Sequence, residues 1–135
     1  AVKQAESDEE KIKPFTKKCP LAVLSGCDEN NLAVLKNGGG GAVSVASNLF
    51  PAETVKLFNL FYSSEQKAEK FNLKLKPLFT ALSLESNPVP LKYLFAKIYG
   101  GQNALRLPFL TLSPENEKKA DELLKLFYKN LNEEN

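Results

Sequence analysis

Residues 38–48 read Gly38-Gly39-Gly40-Gly41-Ala42-Val43-Ser44-Val45-Ala46-Ser47-Asn48, four glycines that empty into a short apolar run. A glycine run invites comparison with phosphate-cradling loops. In those loops a strand comes first and a helix N-terminus follows, so that backbone N–H groups converge on the anion. Here the order is reversed. Asp28 offers an N-cap for a helix ending near Lys36, Asn37-Gly38 supplies its stop, and Ala42 to Ala46 reads as a buried strand. Helix, glycines, strand is a helix-to-strand connection of a layered α/β protein, which turns the functional reading away from nucleotides.

Working outward, the same alternation recurs. Ala1-Val2-Lys3 reads as the tail of a strand. Ser7 to Glu10 has the Ser-x-x-Glu capping pattern of a helix that Pro20 must follow. Leu21-Ala22-Val23-Leu24 is a continuous apolar run, as expected of a strand buried on both faces, and Ser25-Gly26-Cys27 turns after it. Pro51 suits a first helical position, with Val55, Phe58 and Tyr62 on one face of the helix it opens. Parallel βα units are the natural reading.

From Ser63 on, the strands stop. Ser63 and Gln66 form a second capping pattern, and Ala68, Phe71, Leu75, Leu78, Phe79 and Leu82 follow at helical spacing. Asn87-Pro88-Val89-Pro90 breaks that helix, a short one runs from about Leu91 to Tyr99, and Ser113-Pro114-Glu115 opens the last, with Ala120, Leu123, Leu124, Phe127 and Leu131 on its apolar face. The domains expected are therefore 1–62, α/β, and 63–135, all-helical. Three short strands cannot close a barrel or manage their own edges, which favours a piece of a larger α/β fold. The absence of methionine, at position 1 as elsewhere, points the same way.

Composition removes several function classes. The formal charge is only +2, and Arg106 is the sole arginine among 18 basic residues, which argues against a nucleic-acid reader. No apolar run has membrane-spanning length, and nothing reads as a secretory signal. Cys19 and Cys27 lack zinc-ligand spacing and read as reduced cytosolic thiols, so a cytoplasmic protein is expected. With no histidine, no metal site or Ser-His or Cys-His nucleophile is expected, and chemistry must rest on lysine, tyrosine or a carboxylate.

Lys3 is the first candidate. The carboxyl ends of strands form the active-site face of a parallel α/β barrel, and a partly desolvated lysine projecting there is an amine nucleophile toward a carbonyl. Gly26, past the second strand, allows the backbone close to a ligand or makes an ordinary turn. Val43 and Val45 read as strand residues that the core could use. A buried Ser44 must find a hydrogen-bond partner, and Asn48 reads as a cap for the next helix, with a pocket-lining role as the alternative. Tyr62, Tyr93, Tyr99 and Tyr128 fall on amphipathic helices, where packing with the hydroxyl at the surface is the default. The carboxylates at Glu6 to Glu10 and Glu133-Glu134 read as helix-terminal and solvated charge.

Together, Val2-Lys3-Gln4-Ala5, Leu24-Ser25-Gly26-Cys27-Asp28, residues 38–48, Glu85-Ser86-Asn87-Pro88-Val89-Pro90-Leu91-Lys92 and Leu105-Arg106-Leu107-Pro108 resemble, in order and spacing, the carboxyl-terminal half of the dihydrodipicolinate synthase (4-hydroxy-tetrahydrodipicolinate synthase) family. This branch belongs with the N-acetylneuraminate lyases and other class I aldolases. The resemblance implies strands six to eight of a (β/α)₈ TIM barrel followed by a helical carboxyl-terminal domain. It implies condensation of pyruvate with aspartate semialdehyde on the diaminopimelate route to lysine, through a covalent lysine–pyruvate imine and without cofactor. Lys3 falls on the imine lysine, Gly26 on a glycine near bound substrate, and Val43 on an eighth-strand residue whose carbonyl lies near that lysine. The partners implied are the remainder of the barrel and further copies in a homotetramer, with no nucleic acid or membrane.

The departures are specific. Cys27 stands where the family carries an aspartate, and Gln4 where it carries a glutamate. The threonine and tyrosine proton relay and the carboxylate-binding arginine belong to the first five strands, outside this chain, so the chain by itself is expected to be inactive. The alternatives are a superfamily member with another acceptor and a non-catalytic half-barrel that associates with a partner chain.

Overall fold

A computed structural model describes residues 1–5 and 8–133, which form two compact units, Ala1–Leu73 and Lys74–Asn135. In the first unit β1 (Val2–Gln4), α1 (Glu9–Lys18), β2 (Val23–Ser25), α2 (Asn31–Lys36), β3 (Gly41–Ala42) and α3 (Pro51–Ser63) follow in order, with 3₁₀ turns at Asp28–Asn30 and Ala46–Asn48. The strands form one parallel sheet in the order β1-β2-β3. Val2, Lys3 and Gln4 face Val23, Leu24 and Ser25, while Leu24 and Ser25 face Gly41 and Ala42. The strand–helix alternation read from the sequence is therefore present.

Local chemistry explains most boundaries. Asp8 caps α1, its Oδ1 accepting the Glu10 N–H at 3.0 Å. Ser7, the capping residue expected from the sequence, lies outside the described residues, as do Glu6 and Glu134. At the end of α2, Gly38 (φ +91°) donates to Leu35 O at 3.0 Å and Gly39 to Val34 O at 2.8 Å, the paired bonds of a Schellman stop. Gly39 also lies so close to Val34 that a Cβ there would overlap its Cγ1 and stand 2.8 Å from its carbonyl oxygen. Gly40 N–H then donates to Val23 O and Val43 N–H to Ser25 O.

Three expectations are corrected. The run Leu21–Leu24 starts its strand later than expected: the strand is Val23–Ser25, and Leu21 is 55% exposed. β3 stops at Ala42 instead of reaching Ala46, because the backbone beyond Val43 leaves the ladder for the Asp28 carboxylate. In α3, Val55 and Tyr62 are exposed, whereas Thr54 and Leu57 are buried. Large side chains on both sides of that helix obscured which stripe faces inward.

The core beneath the sheet joins Ile12 of α1, Val23 of β2 and Val34 of α2, with Val2, Cys19 and Ala33 packed against it. α4 (Glu65–Leu82) runs across the boundary between the units. Its first turns belong with unit one. The Lys36 ammonium, its pKa raised by the Glu69 and then the Glu65 carboxylate, pairs with both, and Lys56 Nζ lies 4.7 Å from the Phe71 ring centre. The compact unit thus extends past the expected division at Tyr62. Ser63, expected as a cap, donates to Leu60 O instead, and Ser64 Oγ accepts the Lys67 N–H.

Within the second unit, the rest of α4 is followed by α5 (Val89–Tyr99) and α6 (Pro114–Asn132). The heptad-like spacing of α4 holds: Ala68, Phe71, Leu75, Leu78, Phe79 and Leu82 are all buried. Ala120, Leu124 and Phe127 bury the inner stripe of α6. Tyr93 of α5 donates its hydroxyl to Asp121 of α6 at 3.0 Å, and Lys97 pairs with the same carboxylate. Burial and then Asp121 push the Tyr93 phenol up. Glu85 Oε1 accepts from the Ser113 N–H, the Ser113 hydroxyl and Asn116 Nδ2 at 3.1, 2.8 and 2.9 Å, placing a carboxylate at the N-terminus of α6.

Two outcomes follow. Gly39→Ala forces overlap with Val34 and lowers stability by about 1–3 kcal/mol, whereas Gly40→Ala, whose Cβ would find only Ala22 Cβ at 3.9 Å, is tolerated in the same urea titration. The second concerns acid. Bonds from Asn116 and Ser113 hold the Glu85 carboxyl below its ordinary value. Its stabilising contribution is complete above the unfolded-state value and is lost as pH falls through the lower folded one. Thermal unfolding against pH is expected to show this loss below about pH 4.5, the ordinary carboxyl value, and Glu85→Gln is expected to remove that part of the slope.

Candidate active site

Parallel strands all end on one side of their sheet, so the residues just past β1, β2 and β3 gather there whatever their separation in sequence. Lys3 pairs in register with Leu24, and Leu24 with Gly41. Side chains two apart on a strand share a face, so Lys3, Leu24 and the α-carbon of Gly26 lie on the same face. The opposite face carries Val23 and Ser25, both buried toward the helices.

Gly26 is where the lysine rests. Its N–H donates to Gln4 O at 2.7 Å, extending the β1–β2 ladder by one bond. A Cβ built on Gly26 would lie 2.5 Å from Lys3 Cε and 2.8 Å from Lys3 Cγ. The Lys3 side chain therefore lies across the Gly26 backbone, and any larger residue at 26 would displace it. Val43 is the neighbour on the other side. Its N–H donates to Ser25 O at 2.7 Å, and its side chain is 49% exposed, not in the core. Lys3 is likewise exposed, because three strands leave their inner face uncovered; the partial desolvation expected of it is not supplied by the described residues.

Asp28 sets the loops around these residues. Its buried carboxylate accepts the Val45 N–H at 2.9 Å and the Ala46 N–H at 2.8 Å through Oδ2, and Asn31 Nδ2 at 3.1 Å through Oδ1. It joins the turn after β2 to the segment after β3. The sequence marked Asp28 as a cap for its own helix; its main partners instead lie 17 and 18 residues onward, a distance no local pattern reveals. Ser25, fully buried, donates its hydroxyl to Cys27 O at 2.8 Å, closing the turn that holds Gly26. Ser44 is half-buried, not buried, and its Oγ accepts the Ser47 N–H at 3.0 Å. Asn48 does not cap α3; its amide donates to Val45 O, and Phe50 precedes Pro51 without a side-chain cap.

The arrangement is a run of parallel βα units with an amine, a bare backbone and an apolar side chain at successive strand ends, as in barrel enzymes whose chemistry sits on that face. The profile of the "Dihydrodipicolinate synthetase family" matches residues 1–127. The 4-hydroxy-tetrahydrodipicolinate synthase of Thermodesulfovibrio yellowstonii is 35% identical over 127 residues, covering 92% of this chain and 44% of the relative. That of Leptospira biflexa is 37% identical over 137 residues, covering 99% and 46%. The solved synthase of Methylacidiphilum fumariolicum superposes with a TM-score of 0.89 at 34% identity, over 96% of this chain and 44% of that one. The synthase of Acinetobacter baumannii, solved with pyruvate, gives 0.86 at 27% identity, over 93% and 44%. The chain belongs to the dihydrodipicolinate synthase family, whose solved members are TIM-barrel enzymes, and it spans less than half the length of the relatives it matches.

Removing the Asp28 carboxylate strands two backbone N–H groups. Asp28→Ala is expected to cost about 1–3 kcal/mol for each group left unsatisfied away from water, read as a lowered urea midpoint. Hydrogen exchange should quicken at Val45 and Ala46 ahead of Val23.

Proposed function

We propose that the chain supplies the carboxyl-terminal half of a pyruvate-dependent class I aldolase of the dihydrodipicolinate synthase type, namely strands six to eight of the barrel and the helical domain after them. Lys3 is the nucleophile. Its Nζ adds to the keto carbon of pyruvate, water leaves, and an imine joins the two. Loss of a proton from the pyruvate methyl gives an enamine, whose carbon attacks the aldehyde of aspartate semialdehyde. The lysine supplies the electron sink, so no cofactor is needed.

The observation that carries this reading is the packing of the Lys3 side chain on the Gly26 backbone, with Val43 bonded at the next strand end. A lysine stem lying along a backbone without a side chain supports the reading, because it leaves room beside the lysine for a small keto acid. The pyruvate held by the Acinetobacter baumannii relative supports the substrate class. The intact enzyme is a cytoplasmic homo-oligomer of the diaminopimelate route to lysine. Imine formation needs acid–base assistance, and positioning contributes several kcal/mol to lowering the barrier. The groups that would supply both lie on the other five strands, so these 135 residues alone have no appreciable turnover.

Borohydride reduction in the presence of pyruvate, with the rest of the barrel supplied, should fix a pyruvate-derived mass increment on the peptide containing Lys3. Lys3→Arg should abolish it. An adduct confined to another lysine, or none at all, sinks the assignment, and condensation by the isolated 135 residues at ordinary enzyme rates sinks the claim of inactivity.

A further inference from the structure

Asn31 opens α2 with only 1% of its surface exposed, beside the buried apolar residues Leu32, Val34 and Leu35. Helix capping does not account for it. α2 has no side-chain cap, and the N–H groups of Asn30 and Asn31 donate to backbone carbonyls, Cys27 O and Asp28 O. Those bonds leave the Asp28 carboxylate free of the turn that it begins. It then has three donors to divide between two oxygens. Asn31 Nδ2 donates to Oδ1 at 3.1 Å, while the N–H groups of Val45 and Ala46 both donate to Oδ2, at 2.9 and 2.8 Å. A carboxylate facing two adjacent N–H groups could instead offer one oxygen to each, since its terminal torsion is broad. The Asn31 amide on Oδ1 selects the arrangement in which Oδ2 serves both.

The other end of that amide sharpens the point. Among the described residues none donates to the buried Oδ1 of Asn31. Its orientation is therefore set by Asp28, because the amide turned over would bring its oxygen against the carboxylate. Buried polar atoms ordinarily find partners. A leucine at this position would join the stripe of Leu32, Val34 and Leu35 and leave no carbonyl unpaired. The asparagine serves the carboxylate, not the helix.

We propose that Asn31 is a positioning residue for the keto-acid pocket, acting through Asp28 on the segment after β3. The proposal rests on the aldolase reading above. Val43, whose N–H donates to Ser25 O, stands two residues before Val45, and Ser25 precedes the Gly26 on which the Lys3 side chain lies. Fixing the two Asp28 oxygens fixes Val45 and Ala46, and with them the separation between Val43 and the Lys3–Gly26 pair. That separation sets how closely pyruvate is held against the amine. Asn31 touches neither substrate nor Lys3, so its role is in affinity for the keto acid and not in the reactivity of the lysine.

The test uses Asn31→Leu, with Asn31→Ala as the smaller replacement should leucine not fit. In the 135-residue chain, amide exchange at Val45 and Ala46 should quicken by about tenfold, while Gly40, whose N–H donates to Val23 O, keeps its rate within about twofold. With the rest of the barrel supplied as for borohydride trapping, the pyruvate concentration that half-labels Lys3 should rise by about tenfold. Labelling at saturating pyruvate should stay the same. Asp28→Asn supplies the rescue. The Asn31 amide can then turn over and accept from the new amide, whose oxygen still serves both N–H groups. Half-labelling in Asp28→Asn should therefore move by no more than about threefold, whereas Asp28→Asn combined with Asn31→Leu should lose as much as Asn31→Leu alone. Equal loosening at Gly40, loss of the fold in both Asn31 variants, or half-labelling that does not move would each overturn the role of Asn31. So would an Asp28→Asn effect that is the same with and without Asn31. An unsubstituted protein that gives no adduct at Lys3 overturns the aldolase reading, and this role with it, even where the amides loosen as expected.

Discussion

One carboxylate holds the candidate site together. Asp28 starts the turn after β2, and its two oxygens reach the backbone after β3 and the amide of Asn31. A buried carboxylate with three donors is satisfied, and it satisfies in return the N–H groups that the short strand β3 leaves behind. The end of β3, the aim of Val43 and the 3₁₀ turn at Ala46–Asn48 all depend on that exchange. With the carboxylate removed, the two strand ends lose their side-chain link and are joined by backbone bonds alone, among them Val43 N–H to Ser25 O and Gly40 N–H to Val23 O.

Close approach is the second constraint, and glycine meets it in two places for different reasons. At Gly39 the chain leaves α2 so tightly that Val34 occupies the space a side chain would take. At Gly26 the occupant is Lys3. The first is a matter of packing a helix against a strand. The second sets the position of an amine, and it makes the proposed nucleophile and the glycine beside it one structural element rather than two independent residues.

The second unit repeats the use of single carboxylates to join distant segments. Glu85 gathers three donors at the start of α6, and Asp121 receives both Tyr93 and Lys97 from α5. These ties are partly or largely exposed, and the apolar stripes beneath them, Leu75, Leu78, Phe79 and Leu82 on α4 and Ala120, Leu124 and Phe127 on α6, carry the burial. The carboxylates orient what the apolar stripes hold.

Read by itself, the sequence determined the order of elements and the residues at the strand ends. Helix stops at Asn37-Gly38, a proline at the start of α3 and the spacing of α4 are local signals, and every residue of the expected α4 stripe is buried, with Pro77 and Ala81 buried beside it. Five short motifs in register also placed the chain in its family and singled out Lys3, Gly26 and Val43 before any geometry was known. Tertiary structure decided where β3 ends, which side of α3 is buried, and what Asp28 binds. Each of those depends on partners far along the chain, and apolar residues on both sides of α3 give no local cue to choose between them. Only the folded chain shows Lys3 lying on Gly26, because parallel pairing brings together strand ends separated by a full helix, a distance over which sequence pattern carries no register.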